Sequence, residues 1–200
     1  MIRLSKRLKA ICDFIPDNSS VIDVGCDHAL VSIFLTKYKG CRCLATDISK
    51  KCIDKALYNI KRYDLDIDTM VTDGLDGIIL NKKIIVIAGM GTSTILDILD
   101  RDITNDLIIC SHTDIPLLKK GLYKKGYRIY KETIVFEKKY YVITYYKYKK
   151  GKKYDRYVSP FYSKDYVNYL IKKYELIYAN NHKLRYRLIL NKLKRFYEKS

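Results

Sequence analysis

Acidic residues and glycine follow the apolar runs of this chain at positions where parallel strands bind nucleotide cofactors. The run Val21-Ile22-Asp23-Val24 is followed at once by Gly25, which permits a sharp turn and the close approach of a ligand. A second acid, Asp47, closes the next apolar run about 20 residues on, the spacing at which a carboxylate meets a ribose hydroxyl in dinucleotide-type folds. This pattern predicts a site for a cofactor that carries adenosine.

Two later turns complete the predicted pocket. Asp73 follows the third apolar run and is placed to hydrogen-bond the amino group of adenine, with Leu75 against the ring. Small residues follow the fourth run at Ala88-Gly89-Met90-Gly91, where they would let a flat base approach the reacting group. Because the carboxyl ends of parallel strands meet at one edge of a sheet, we expect the four turns to converge there.

Each of these residues also has a plain structural interpretation. The first turn lacks a G-x-G-x-x-G run, so that motif is weak by itself. Asp47 is also a suitable helix cap, and Asp73-Gly74 is also an ordinary turn sequence. Agreement among four independent strand ends favours the cofactor site over a set of unrelated turns.

The residues directly after the glycine turn bear on which cofactor binds. Asp27 would repel a pyrophosphate, so the site suits a nicotinamide dinucleotide poorly. The same carboxylate suits a sulfonium cation or an amine, which favours S-adenosylmethionine. Helix capping explains these residues about equally well, with Asp27 as the N-cap and His28 as a helix-start residue.

Apolar periodicity places the candidate residues on alternating strands and helices. Leu4 and Leu8 recur at helical spacing before the first strand, and strand–helix units then follow in series. Two later strands, at residues 129–136 and 140–148, have no room for a helix between them and must be antiparallel. Five strand–helix units followed by a β-hairpin predict an α/β fold: a seven-stranded Rossmann-like methyltransferase sheet with an antiparallel last strand.

The last quarter of the chain differs from the rest in pattern. Residues 1–150 form the predicted methyltransferase domain, residues 151–162 a basic, tyrosine-rich linker, and residues 163–200 an antiparallel helical hairpin with its turn at Ala179-Asn180-Asn181. The apolar contact between two such short helices is only marginally stable by itself, so we expect the hairpin to dock on the domain or on RNA. Its outward faces carry Lys172, Lys173, Lys183, Arg185, Arg187, Lys192, Lys194 and Arg195.

The charge and cysteine content of the chain limit the classes of protein to which it can belong. The 39 basic and 22 acidic residues leave a formal net charge of +17, which suggests a polyanionic partner, nucleic acid first and an anionic membrane second. Basic faces are also ordinary solvated surface, and AT-rich coding alone favours lysine and tyrosine. Six cysteines without a C-x-x-C pair, and only three histidines, predict reduced, buried thiols and no metal site. Without a signal peptide or a long apolar segment, we expect a cytoplasmic protein with no membrane attachment.

A longer combination of motifs resembles a known family. Asp23-Val24-Gly25-Cys26-Asp27-His28-Ala29, together with Ala88-Gly89-Met90-Gly91 and Leu4-Ser5-Lys6-Arg7-Leu8, is similar to the bacterial tRNA (adenine-22-N1)-methyltransferases. The resemblance covers essentially the whole chain. It implies methyl transfer from S-adenosylmethionine, which becomes S-adenosylhomocysteine, to N1 of an adenine in tRNA. Together with the strand ends, it gives a predicted cofactor pocket of Arg7, Asp23, Gly25, Cys26, Asp27, His28, Asp47, Ile48, Asp73, Gly74, Leu75, Ala88, Gly89 and Met90.

The chain also departs from the pattern of that family. Leu30-Val31-Ser32 stands where the family usually has Tyr-Leu-Pro, and Gly91-Thr92 where it has two glycines. Ser111-His112-Thr113 replaces Gln-Pro-Asn after the fifth strand, which borders the acceptor in this family. We therefore predict a substrate base pocket at Gly91, Ser111 and His112, although a strand-end residue bonded to backbone is the somewhat better description of His112.

The implied chemistry makes simple demands on the protein. Adenine N1 already carries a lone pair, so methylation there needs alignment with the donor rather than a metal or a covalent intermediate. The product is cationic, and Asp27 is the candidate catalytic residue that would stabilise the developing charge. The base must be unpaired or flipped out, and the basic hairpin would hold the tRNA, with no obligate protein partner evident. Two alternatives stay open: action on another RNA site, an rRNA or a small molecule, and an RNA-binding module with a decayed cofactor pocket.

Overall fold

The computed structural model describes residues 2–199, which form seven strands and seven helices. The strands are β1 (Ser20–Val24), β2 (Arg42–Asp47), β3 (Asp68–Val71), β4 (Ile84–Ala88), β5 (Leu107–Ser111), β6 (Tyr127–Glu137) and β7 (Lys139–Tyr148). The helices are α1 (Lys6–Phe14), α2 (Leu30–Lys39), α3 (Lys50–Arg62), α4 (Thr92–Ile98), α5 (Ile115–Lys124), α6 (Lys164–Asn181) and α7 (Leu184–Lys199). Among residues 2–199, every helix is too short or too polar to cross a lipid bilayer.

The strands form one mixed sheet in the order β3-β2-β1-β4-β5-β7-β6. The first five strands pair in parallel, with β1 between β2 and β4. Strand β7 lies between β5 and β6 and runs antiparallel to both. This arrangement confirms the predicted seven-stranded Rossmann-like sheet with an antiparallel last strand.

Both faces of the parallel strands are covered, which explains their continuous apolar sequences. Along β4, Ile84 and Val86 enter the core cluster beneath α1, α2 and α3. The alternate residues Ile85 and Ile87 enter the opposite cluster, beneath α4 and α5. Successive side chains of one strand point to opposite faces of the sheet, and each face packs in its own apolar core. The helices on both faces fix the positions of the loops at the carboxyl edge of the sheet.

The prediction of five strand–helix units is wrong at one of them. The segment between β3 and β4 forms turns, and no helix of the described chain follows β3. Gly74 and Gly77 adopt positive φ angles of 55° and 68°, which interrupt helical geometry. Leu75 is 1% exposed and packs in the core with α4, so the loop itself covers the face that a helix would have covered.

The hairpin turn also differs from the prediction. Helix α6 continues through the expected turn at residues 179–181, and the chain reverses at His182 and Lys183. His182 ends α6 in the left-handed region with φ 47°. The side-chain amide of Asn181 donates to the carbonyl of Ile177, four residues back, which is compatible with helix. The predicted domain boundaries include Met1 and Ser200, which lie outside the described residues.

The hairpin docks on the methyltransferase domain through a third apolar cluster. Val167 and Leu193, from α6 and α7, are fully buried and share this cluster with Val142 of β7. The expectation that so short a seam needs another surface is thereby met by the domain. The docked hairpin therefore packs beside β7 and the start of α5.

A buried polar network lies beneath that contact. Lys119 of α5 is completely buried, with its Nζ 3.0 Å from Oε1 of Glu132 and donating to the hydroxyl of Tyr162 over 3.0 Å. The hydroxyl of Thr144 donates to the same Glu132 carboxylate over 3.0 Å. Burial lowers the pKa of Lys119, while the carboxylate of Glu132 raises it. The network joins α5, the β6–β7 hairpin and the segment that leads into α6.

Candidate cofactor site

A cavity of about 350 Å³ opens at the carboxyl edge of the sheet. It lies over the ends of β1, β2 and β4, where open α/β sheets bind their ligands. Ten of the predicted cofactor residues line it: Arg7, Asp23, Gly25, Cys26, Asp27, His28, Asp47, Ala88, Gly89 and Met90. Leu8, Leu30 and Val31 also line it and were not predicted, since an apolar side chain on an amphipathic helix carries no separate signal for a ligand.

The glycine turn after β1 forms the floor of this cavity. Gly25 has a φ of +71°, a conformation that L side chains rarely adopt. A Cβ at this position would lie 2.2 Å from the Cε of Met90. The amides of Gly25 and Cys26 both donate to the carbonyl of Thr46, over 2.8 and 2.9 Å, and so hold the turn against the end of β2. The backbone conformation therefore favours glycine, and any larger residue would also displace the end of the Met90 side chain.

Asp47 connects two of the loops around the cavity. Its Oδ1 accepts from the amide of Ser49 over 2.9 Å, at the start of α3. Its Oδ2 accepts from the amide of Asp27 over 3.2 Å. A carboxylate accepts up to about four hydrogen bonds, so both oxygens keep capacity for a ligand hydroxyl. The N-cap of α3 is Ser49, so the alternative that Asp47 caps this helix is wrong. The carboxylate of Asp47 instead joins the loops that follow β1 and β2, and it lines the cavity.

Asp23 is the most buried acid of the cavity wall. Its side chain accepts from the hydroxyl of Ser32 over 2.8 Å, and the residue is only 4% exposed. Burial raises the pKa of Asp23 to about 6, with the nearby charge of Asp47 adding to the effect and Ser32 opposing it. Ser32 is one of the departures from the family pattern, and here its hydroxyl supports this carboxylate.

Asp27 and His28 lie on the rim of the cavity. Nε2 of His28 is 3.6 Å from Oδ2 of Asp27, and the two side chains are 48% and 59% exposed. Asp27 has a φ of +47°, and the N-cap of α2 is Ala29 rather than Asp27. The capping alternative for Asp27 is therefore wrong. Both side chains are therefore accessible to a ligand in the cavity.

Arg7 gives the acidic cavity one permanent cation. Helix α1 is fastened to β6 because the amide of Lys6 donates to Glu137 over 3.0 Å. The guanidinium of Arg7 lies 5.1 Å from the ring centre of Tyr141. Burial raises the pKa of the neighbouring Cys110 thiol to about 11, and the positive charge of Arg7 acts against that increase. The site thus combines acids on one side with a guanidinium on the other.

Four predicted cofactor residues do not line this cavity. Ile48 is 68% exposed beside it, and Asp73 and Gly74 follow the end of β3 farther along the edge. Leu75 is the clear correction, because its side chain is within the core and is not available to an adenine ring. A leucine after a strand looks the same in sequence whether it points into a core or toward a ligand.

The three residues predicted for the base pocket are not brought together. Ser111 is fully buried, and its hydroxyl bonds the backbone of Thr113, so the hydroxyl does not face a substrate. Gly91 is exposed at the N-cap of α4. His112 packs edge-on against Tyr141, with ring centres 5.4 Å apart, and faces a second cavity of about 300 Å³ next to the hairpin. Burial, together with Lys139 and Arg7, lowers the pKa of His112.

The eight basic residues predicted to contact tRNA are all exposed on the hairpin. Two of them are paired with acids, since Lys192 lies 2.6 Å from Asp155 and Lys194 lies 2.8 Å from Glu175. The surface of the hairpin therefore remains strongly positive. Across residues 2–199, histidine, cysteine and acidic side chains form no group of three or more that could hold a metal ion. All six cysteines are free, and five of them are buried, as predicted.

The sheet topology and the acid-lined cavity at its carboxyl edge define the class of Rossmann-like methyltransferases. Residues 4–144 match the family model of the methyltransferase domain, and the chain belongs to this family. A tRNA (adenine(22)-N(1))-methyltransferase of Bacillus subtilis is 29% identical over 146 residues, which are 68% of this chain and 61% of that relative. The matched region thus spans about three fifths of the length of the curated relative.

Solved structures extend the comparison to the hairpin. The structure of M. capricolum TrmK in complex with S-adenosyl-homocysteine is 28% identical, with a TM-score of 0.83 and 98% of each chain covered. The crystal structure of the Bacillus subtilis tRNA methyltransferase TrmK shares the fold, with a TM-score of 0.75, 21% identity, and coverage of 99% of this chain and 97% of that one. These relatives confirm the resemblance to tRNA (adenine-22-N1)-methyltransferases that the motifs indicated.

Proposed function

We propose that this protein transfers a methyl group from S-adenosylmethionine to N1 of an adenine in tRNA, at position 22. The observation that carries the proposal is the cavity over β1, β2 and β4, which is lined by three aspartates, a glycine turn and an arginine. Family membership and the tRNA methyltransferases among the relatives support it. A tRNA substrate also places the enzyme in the cytoplasm.

The residues of the cavity suit the parts of S-adenosylmethionine. Asp23, buried beside the glycine turn, would pair with the ammonium group, and Arg7 across the cavity would pair with the carboxylate. Asp47 would accept from the ribose hydroxyls. The adenine would continue along the sheet edge past Ile48 toward Asp73 and Gly74. Leu75 has no part in this assignment, because its side chain is in the core.

When bound, S-adenosylmethionine supplies an electrophilic methyl group on a sulfonium. The lone pair of adenine N1 forms the new N–C bond while the C–S electron pair returns to sulfur, which leaves S-adenosylhomocysteine and a cationic base. The backbone turn at Gly89 and Met90 would orient the base, since small residues leave room beside the reacting group. Asp27 on the rim would stabilise the cation electrostatically, and its 59% exposure limits that contribution.

Two measurements test the proposal, the first for the cofactor site and the second for the methyl acceptor. Isothermal titration with S-adenosylhomocysteine tests the cofactor site, and the absence of binding would favour an RNA-binding module with a decayed pocket. Asp47→Ala is expected to weaken this binding at least about tenfold, because one or two charge-assisted hydrogen bonds are lost. Asp54→Ala, an acid of α3 paired with Lys50 and outside the cavity, serves as the matched control.

Incubation with labelled S-adenosylmethionine and unmodified tRNA tests the acceptor. Digestion to nucleosides and mapping should find 1-methyladenosine at one position, and omission of tRNA should abolish incorporation. Label on another nucleoside, on rRNA or on a small molecule would reject the tRNA assignment while leaving the cofactor site intact.

A further inference from the structure

The second cavity lies between the edge of the sheet and the hairpin, and seven of its fifteen lining residues are tyrosines. We term it the tyrosine cavity, and six of its tyrosine rings fall into two groups. In the first group, the ring of Tyr140 lies 5.2 Å from that of Tyr166 and 5.0 Å from that of Tyr169. The second group consists of Tyr157, Tyr174 and Tyr186, with successive ring centres 6.2 and 6.4 Å apart. The cavity of about 300 Å³ lies where these groups face each other.

Charged groups at the same cavity limit the chemistry of its occupant. Arg156 and Lys173 line it and are both exposed, and the guanidinium of Arg156 lies 5.4 Å from the ring centre of Tyr157. Asp114, the N-cap of α5, also lines the cavity, and its Oδ1 accepts from the amide of Leu117. An occupant with a flat aromatic part, a negative charge and hydrogen-bond donors would match these three features.

We propose that the tyrosine cavity holds one unpaired nucleotide of the RNA substrate, other than the adenine that is methylated. The base would lie between the two groups of rings, and its phosphate would face Arg156 and Lys173. Stacking on aromatic side chains is the usual way in which proteins bind unpaired bases, and it accepts any base because each has a π face. Asp114 would accept from an exocyclic amino group of the base.

The geometry separates this nucleotide from the reacting one. The two cavities share no lining residue, and a continuous chain of side chains stands between them: Arg7 on the cofactor side, Tyr141 next to it, and His112 on the hairpin side. A base in the tyrosine cavity therefore does not reach the donor methyl group. Holding a neighbouring nucleotide would instead fix the RNA so that the target base enters the first cavity. This inference rests on the proposed function, which supplies the RNA.

Equilibrium binding of an unmodified tRNA transcript, with S-adenosylhomocysteine present, tests the inference. Tyr169 is 43% exposed, so Tyr169→Ala leaves the core intact. We expect Tyr169→Ala to weaken tRNA binding at least about fivefold, because one base–aromatic stack is lost. Tyr169→Phe should restore binding, since the ring is what stacks. The salt dependence should distinguish the two kinds of contact: Tyr169→Ala leaves its slope unchanged, whereas Arg156→Ala lowers the slope by about one.

Tyr58→Ala is the matched control, because Tyr58 is 70% exposed on α3 and lines neither cavity. Affinities of Tyr169→Ala and Arg156→Ala equal to wild type would overturn the inference. Ultraviolet cross-linking with peptide mapping gives a second readout, and a cross-link from the tyrosine cavity to the methylated adenine would also overturn it. The proposed function fails separately, if the wild-type protein incorporates no methyl group into tRNA.

Discussion

The two cavities of this protein are built in different ways. The cofactor cavity is made from turns at the ends of parallel strands, with Gly25, Asp23 and Asp47 held by backbone or buried hydrogen bonds. The tyrosine cavity is made from side chains that meet only because α6 and α7 dock on β7 and α5. The first is a property of the sheet, whereas the second depends on how two parts of the chain pack. Their responses to mutation should therefore differ.

The largest loss of stability is expected at the buried pair of Lys119 and Glu132, which lies beneath the docked hairpin. Lys119→Met should lower the free energy of unfolding by about 3–5 kcal/mol, because Glu132 is left charged and unpaired in the core. Lys119→Met/Glu132→Gln should recover much of that loss, since the carboxamide can still accept from Thr144. Urea unfolding measures both. Lys50→Met, which breaks an exposed pair on α3, is the control and should cost about 0.5 kcal/mol or less. Equal losses in the three variants would contradict a structural role for the network.

Gly25→Ala should damage the cofactor cavity alone. The new methyl group would displace Cε of Met90, another residue of the cavity lining, and the left-handed backbone adds strain of about 1–2 kcal/mol. We expect S-adenosylhomocysteine to bind at least about tenfold more weakly, whereas tRNA binding changes little. Calorimetry checks the first statement and filter binding the second.

Gly91→Ala is the matched control for that variant. A Cβ on Gly91 has no atom within 4 Å, and its φ of −72° suits any residue. Binding of S-adenosylhomocysteine should be unaffected. A loss of tRNA affinity in Gly25→Ala as large as the loss of cofactor affinity would show that the two cavities are not independent.

Asp23→Asn should raise the stability of the free protein at neutral pH and weaken the binding of S-adenosylhomocysteine. Because burial raises the pKa of Asp23 from 3.8 to about 6, the folded protein binds more protons than the unfolded chain between those values. This group's stabilisation is complete below pH 4 and is lost as the pH rises through 6. Asp23→Asn should thus stabilise the free protein at pH 7.5 by about 1–3 kcal/mol relative to wild type, with no gain at pH 3.5. Urea unfolding at the two values measures this.

The same substitution should weaken binding of S-adenosylhomocysteine, since the ionised carboxylate is the partner proposed for the ammonium group. In the wild-type protein, affinity should rise with pH through about 6 and then level off. An Asp23→Asn variant that binds as tightly as wild type and keeps the same pH profile would remove this residue from the cofactor site.

The smallest effects are expected for single cations of the hairpin. Lys172→Ala and Arg187→Ala should each lower the salt slope of tRNA binding by about one, because each neutralises about one phosphate. Lys194→Ala should change the slope less, because Glu175 already pairs with Lys194 at 2.8 Å. If the salt slope of all three variants equals that of the wild-type protein, the RNA contacts another face of the protein.

Local sequence determined the sheet and most of the cofactor cavity. The continuous apolar run of β4 specifies a strand buried on both faces, and Gly25 and Asp47 mark the ends of two similar strands. These signals act over a few residues, and the parallel topology then brings the marked positions to one edge without further information. For that reason, ten predicted cofactor residues line one cavity.

Only the tertiary structure decided where a side chain near those ends would point. Leu75 and Ser111 follow or end strands like their neighbours, yet core packing draws both inside, and the loop after β3 takes the place of a helix. The tyrosine cavity had no sequence signal beyond the abundance of 20 tyrosines. Its seven tyrosine rings come from β7, the linker and two helices, and long-range docking rather than local periodicity determines which rings meet.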